Sequence, residues 1–123
     1  MDDEDIVREV LGRMLVNMGY KVEYARDGPE ASEIYPRTKN SGQPFTGVIL
    51  DLTVRGGLGG KQAIKQLREI DPQVKAIVSG GYNDDPVMSN YSRYGFRGVL
   101  SKPYKIEDLS KTLKEVINEE TGI

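Results

Sequence analysis

Apolar residues recur along this chain in two alternating rhythms. Ile6, Val7, Val10, Leu11, Met14, Leu15 and Met18 return every three or four positions, the spacing that turns one face of a helix toward a core. Asp5 is placed to cap that helix, and Gly19 to close it just past the last turn. Lys21–Ala25 alternates as a strand does. Asp27-Gly28-Pro29 then starts a second helix with Pro29 at the favoured first position, and Pro36 is expected to end or kink it early. A polar stretch, 37–44, precedes a strand at Gly47–Asp51 and a glycine-rich loop at Arg55–Gly60. Ala63, Ile64, Leu67 and Ile70 mark a third helix, closed by Asp71-Pro72. Val74–Ser79 is a strand ended by Gly80-Gly81. Asp85-Pro86 caps a short helix reaching about Tyr94, Gly98–Ser101 is a last strand, and Ile106, Leu109, Leu113, Val116 and Ile117 give the final helix.

A helix followed by four strand–helix units predicts an α/β domain: a doubly wound parallel sheet with helices on both faces. All 123 residues fit one domain. Ligands in such sheets bind beyond the carboxyl ends of the strands. Asp51 and Lys102 lie at or just past such ends, and Asp2-Asp3 immediately precede the first helix. These features converge on one edge of the sheet. Carboxylates in that number suit a hard divalent cation such as Mg²⁺, and a lysine beside them suits a phosphoryl group.

Composition narrows the chemistry further. The balance of 17 Lys+Arg against 19 Asp+Glu leaves a net charge of -2, which argues against direct nucleic-acid binding. The chain has no Cys, hence no disulfide framework or thiolate metal site, and no His, so imidazole serves neither as base nor as phosphocarrier. No apolar run approaches the ~20 residues needed to span a bilayer, and no signal-peptide pattern opens the chain. A soluble, cytoplasmic domain without direct membrane contact is expected.

Each feature has a plainer explanation. Asp51 alone could be a capping or loop aspartate, Asp2-Asp3-Glu4-Asp5 a solvated acidic start of a helix, and Lys102 a surface lysine; their common register is what singles them out. Gly56-Gly57-Leu58-Gly59-Gly60-Lys61 invites a phosphate-loop reading but fails on spacing, with Arg55 and Gln62 at key positions.

Taken together, Asp2-Asp3, Asp51, Gly59 and Lys102-Pro103 resemble the receiver domain of two-component response regulators, over nearly the whole chain. The run Gly81–Met88 and Tyr94-Gly95-Phe96 resemble the receivers of hybrid sensor histidine kinases. The resemblance implies a flavodoxin-like α/β/α fold of strand order 2-1-3-4-5. It implies that the domain catalyses its own aspartyl phosphorylation and dephosphorylation, with Asp51 taking a phosphoryl group from phosphohistidine. Asp3, Asp51 and the Thr53 carbonyl would bind Mg²⁺, Asp2 would hold a metal-bound water, and Lys102 would pair with a phosphoryl oxygen. The implied partner is a histidine kinase or a histidine phosphotransfer domain. A receiver-like interaction module with little or no phosphorylation is the alternative; a Mg²⁺-dependent nucleotide enzyme lacks a phosphate-loop signature.

The sequence departs from the family pattern in four places. Arg55 stands where the loop after the aspartate usually has Pro, and Val99 where an aromatic switch residue usually stands. The switch hydroxyl falls on Gly80 by counting back from Lys102, with Ser79 one residue early. The first, central strand has no counterpart in the chain. A native polypeptide extending upstream through a short apolar strand is therefore expected, with Met1 an internal or artificial start. If that strand is truly absent, marginal stability or self-association is expected instead.

Overall fold

The computed structural model describes residues 1–40, 45–53, 59–81 and 86–118, with 38–40 described in their backbone only. Arg55, the glycines at 56 and 57, and Tyr82–Asp85 lie outside the described residues.

Three strands, β1 (Val48–Asp51), β2 (Ala76–Gly80) and β3 (Gly98–Ser101), pair in parallel in the order β1-β2-β3. Asp51 stands beside Ser79, and Gly80 beside Ser101. β2 is buried at every position, as its Ala76-Ile77-Val78 run requires of a strand covered on both faces. The helices are α1 (Asp5–Asn17), α2 (Gly28–Asn40), α3 (Gly60–Ile70), α4 (Pro86–Ser89) and α5 (Ile106–Ile117), with a 3₁₀ turn at Tyr91–Tyr94.

Helical spacing sorts these elements into two outer layers. In α3, Ala63, Ile64 and Leu67 are buried with Tyr35 of α2, Val87 of α4, Phe96 and the Leu50–Val78 side of the sheet. In α5, Leu109, Leu113 and Val116 are buried with Leu11 of α1 and the Ile77–Leu100 side. The result is the expected three-layer, flavodoxin-like arrangement.

Several local expectations hold. Gly19 and Gly95 take φ of 97° and 99°, the left-handed region that closes a helix on glycine. β3 keeps its expected bounds, and the final helix covers its expected residues. Asp27 accepts a hydrogen bond from the Glu30 amide at 2.9 Å, capping α2.

Several expectations need correction; the helix read from Pro86 to about Tyr94 is α4 followed by a separate 3₁₀ turn, and β2 runs Ala76–Gly80 rather than Val74–Ser79. Lys21–Ala25 forms no strand. A strand exists only through a ladder, and among the described residues the rung in this stretch is the Asp2 amide donating to the Ala25 carbonyl at 3.0 Å. Pro36 does not end α2, which runs on to Asn40. Tertiary anchoring offsets the lost backbone bond: Tyr35 is buried, donates to the Asp71 carboxylate at 2.7 Å and stacks on Phe45. Glu4, not Asp5, is the residue preceding α1. Ile6 and Val10, read as core-facing, are 75% and 46% exposed.

Candidate active site

The carboxyl ends of β1 and β3 carry Asp51 and Lys102 to one edge of the sheet, and Asp2-Asp3-Glu4 enter from the turn before α1. The Lys102 ammonium donates to Asp2 at 2.9 Å and to Asp51 at 3.1 Å. Both carboxylates are buried, and Lys102 is half-buried between them. Beside this triad lies a cavity of about 260 Å³ lined by Asp3, Glu4, Asp51, Thr53, Gly80, Gly81 and Lys102.

Two buried carboxylates share the Lys102 ammonium. Burial, then repulsion from Asp2, raises the Asp51 pKa above the usual carboxylate range, against the opposing pull of Lys102 and a backbone hydrogen bond from Thr53. Burial by itself disfavours the Lys102 ammonium. Its hydrogen bonds to Asp2 and Asp51 outweigh that, so its pKa stands above the usual lysine value. Lys102 therefore stays charged at any physiological pH.

The backbone that presents Asp51 is pinned from two sides. Its amide donates to the Met1 carbonyl at 2.9 Å. The start of α3 packs onto it so closely that a Cβ on Gly60 would lie 2.9 Å from the Asp51 carbonyl oxygen. Only glycine fits there without displacing backbone. This close approach belongs to Gly60, next to the Gly59 that matches the family pattern, and the sequence alone gave no reason to single it out.

The remaining expected residues divide. Thr53 is exposed at the pocket rim. Asp3 lines the pocket, whereas Asp2 lies behind it on Lys102. Glu4, which the acidic start gave no reason to prefer over Asp5, lines it too. Gly80 faces the pocket and Ser79 does not. The Ser79 hydroxyl is buried and hydrogen-bonds the Tyr104 hydroxyl. Tyr104 was not singled out by sequence; burial raises its pKa, and that hydrogen bond opposes the rise. A Cβ on Gly80 would come within 3.1 Å of the Met88 sulfur, so Met88 occupies the space above that position.

The metal-ligating groups offered here are carboxylates. The carboxylates of Asp2, Asp3 and Glu4 lie within 4.8 Å of one another, and Asp51 adds another on the same pocket. Such a donor set fits a hard cation such as Mg²⁺.

The profile of the response regulator receiver domain matches residues 1–114. The chain is 29% identical over 120 residues to the sensor kinase CckA of Brucella abortus, covering 98% of this chain and 12% of that protein. It is 28% identical over 117 residues to the chemotaxis protein CheY of Thermotoga maritima, covering 94% and 92% of the two. The chain spans between 12% and 52% of the lengths of the first curated relatives. Among solved structures, the receiver domain of sensor histidine kinase PA1611 from Pseudomonas aeruginosa, described with a magnesium ion in its active-site cleft, superposes with a TM-score of 0.81 at 23% identity, covering 96% and 93% of the chains. The chain belongs to the response regulator receiver domain family of two-component systems.

Proposed function

We propose that this domain is a phosphoacceptor in a two-component phosphorelay, with Asp51 as the nucleophile. The observation that carries the reading is the Lys102 ammonium held on both Asp2 and Asp51 at the edge of an acidic pocket. An Asp51 carboxylate oxygen attacks phosphorus, the P–N bond of a phosphohistidine breaks, and the departing imidazole takes up a proton. The donor must come from another domain, because this chain has no His. A histidine kinase or a histidine phosphotransfer domain supplies it.

Phosphoryl transfer asks mainly for alignment and charge neutralisation. Lys102 provides a fixed cation at the attacking carboxylate, and pairs with a phosphoryl oxygen once Asp51 is esterified. Asp3, Asp51 and the Thr53 carbonyl would hold Mg²⁺, with Asp2 on a water of that ion; when bound, the ion neutralises charge on the phosphoryl oxygens. The magnesium described in the cleft of the Pseudomonas receiver supports Mg²⁺ as the ion. The sensor kinase among the relatives supports a place within a larger signalling kinase. A cytoplasmic location is consistent with the described residues, which include no helix long and apolar enough to cross a membrane.

Intact-mass measurement after incubation with acetyl phosphate and Mg²⁺ tests the proposal. The chain should gain one phosphoryl group, and Asp51→Asn should gain none. An equal gain in the variant would refute Asp51. No gain in either would favour an interaction module that signals without phosphorylation.

A further inference from the structure

The acidic turn before α1 is held through the amide, the carbonyl and both carboxylate oxygens of Asp2. The amide donates to the Ala25 carbonyl at 3.0 Å. One carboxylate oxygen accepts from the Glu4 amide at 2.9 Å, and the other from Lys102 at 2.9 Å. The carbonyl accepts from the Arg8 guanidinium at 2.6 Å. Arg8 thus reaches back from the first turn of α1 to the residue that anchors the ammonium. It also holds the turn at a second point, where its own amide donates to the Glu4 carbonyl at 3.0 Å. Asp3 lies between these two carbonyls, both bound by Arg8.

An arginine paired with an aspartate on a helix surface is ordinarily worth little, and Arg8 does pair with Asp5. Their burial is unequal, however: the Arg8 side chain is 15% exposed and that of Asp5 86%. Arg8 is packed into the fold, and Asp5 meets it from outside. The planar guanidinium fork lets one nitrogen serve the Asp2 carbonyl while another serves Asp5. A lysine offers a point charge in place of that fork.

We propose that Arg8 is a positioning residue for the divalent-cation site, setting the backbone of the turn that presents Asp3. The inference rests on the reading of Asp3 as a ligand given above. Arg8 does not line the acidic pocket, so its effect on an ion runs through Asp2 and Asp3. A ligand on a loosened turn has to be ordered when the ion binds, and that ordering weakens binding. Charge alone predicts the opposite sign, because removing a nearby cation makes the pocket more attractive to Mg²⁺.

Two variants test the proposal by calorimetric titration with Mg²⁺. Arg8→Met keeps the apolar stem and removes the fork; Arg8→Lys keeps the stem and the charge. Arg8→Met should bind Mg²⁺ about tenfold more weakly than wild type, the scale of a lost outer-shell partner, and Arg8→Lys about threefold more weakly. Phosphorylation at saturating Mg²⁺ should stay within about twofold of wild type, since the reacting groups are untouched. In metal-free protein the Asp2 amide should exchange about tenfold faster in Arg8→Met while the amide of Val78, buried in β2, keeps its rate. Equal or tighter Mg²⁺ binding by both variants would overturn the proposal, and so would Asp2 exchange that rises only in step with Val78. Should Arg8→Met fail to fold, equal or tighter binding by Arg8→Lys is enough to overturn it. A wild-type chain that binds no Mg²⁺ would instead refute the reading of the site, and the metal-free exchange of Asp2 would then decide the role of Arg8 by itself.

Discussion

Ser79 stands beside Asp51 in the β1–β2 register, yet its hydroxyl is committed to Tyr104 rather than to the acidic pocket. Tyr104 follows Lys102 by two residues, so this bond ties the loop carrying the ammonium to the strand flanking Asp51. Tyr104→Phe leaves the buried Ser79 hydroxyl without that partner and should cost about 1–3 kcal/mol. Ser79→Ala with Tyr104→Phe should cost less than the sum of the single changes, because neither polar group is then stranded. Urea unfolding of the four proteins gives the coupling; additive effects would show that the two hydroxyls do not depend on one another.

The raised pKa of Asp51 fixes the sign of a pH effect. Between the usual carboxylate range and its own higher value, the folded state holds a proton that the unfolded state has lost. Stability from this group is therefore present at low pH and falls as pH rises through the folded pKa. Asp51→Asn removes the cost of the buried charge. The variant should melt above wild type at pH 7, and the gap should close below the usual carboxylate range. Lys102 adds no slope near neutrality, since its contribution is lost only as pH rises from the ordinary lysine value through its own raised one. A variant that melts below wild type at pH 7 would mean that the Lys102 bond outweighs burial and Asp2.

Metal binding should be weak, because Mg²⁺ keeps several waters and uses few protein carboxylates. Both Asp3 and Glu4 line the pocket, but only Asp3 is assigned as a direct ligand. Asp3→Ala should lower Mg²⁺ affinity by about tenfold or more, at least as much as the loss of an outer-shell partner does, and Glu4→Ala by much less. Equal losses in a fluorescence or calorimetric titration would count against the assignment.

Switching should be weak in this domain. A coupled response needs a hydroxyl that follows the phosphoryl group and an aromatic residue that fills the vacated space, and here Gly80 and Val99 stand at those positions. Gly80→Ser should strengthen phosphorylation-dependent amide shifts near Val99. The fold can accept the change, since the nearest obstacle is the flexible end of Met88, 3.1 Å from the added Cβ. Large shifts around Val99 in the unaltered protein would contradict this account.

What could be read from sequence was what local pattern dictates. The alternation of apolar runs with helical stripes gave β3, the last helix and the two-sided layering. Asp51 and Lys102 were legible because strand ends in a parallel sheet collect on one edge. The rest depended on distant partners. Residues 21–25 carry a strand pattern but lack the ladder that would make them one. Pro36 reads as a stop, yet the helix is held by Tyr35 on Asp71 and Phe45. The Ser79–Tyr104 bond joins residues 25 positions apart, and the close approach of Gly60 to Asp51 appears only when α3 packs on β1. Ile6 and Val10 share the apolar stripe of α1, but that stripe is wider than the surface it covers.

In the proposed reaction Asp51 itself becomes the acyl phosphate. Reductive trapping reads this directly: borohydride converts an aspartyl phosphate to the corresponding alcohol, and peptide mass mapping locates the changed residue. After treatment with acetyl phosphate and Mg²⁺, the modification should map to Asp51 alone and vanish when Mg²⁺ is chelated. Trapping at Asp2, Asp3 or a residue outside the pocket, with Asp51 unmodified, would contradict the account.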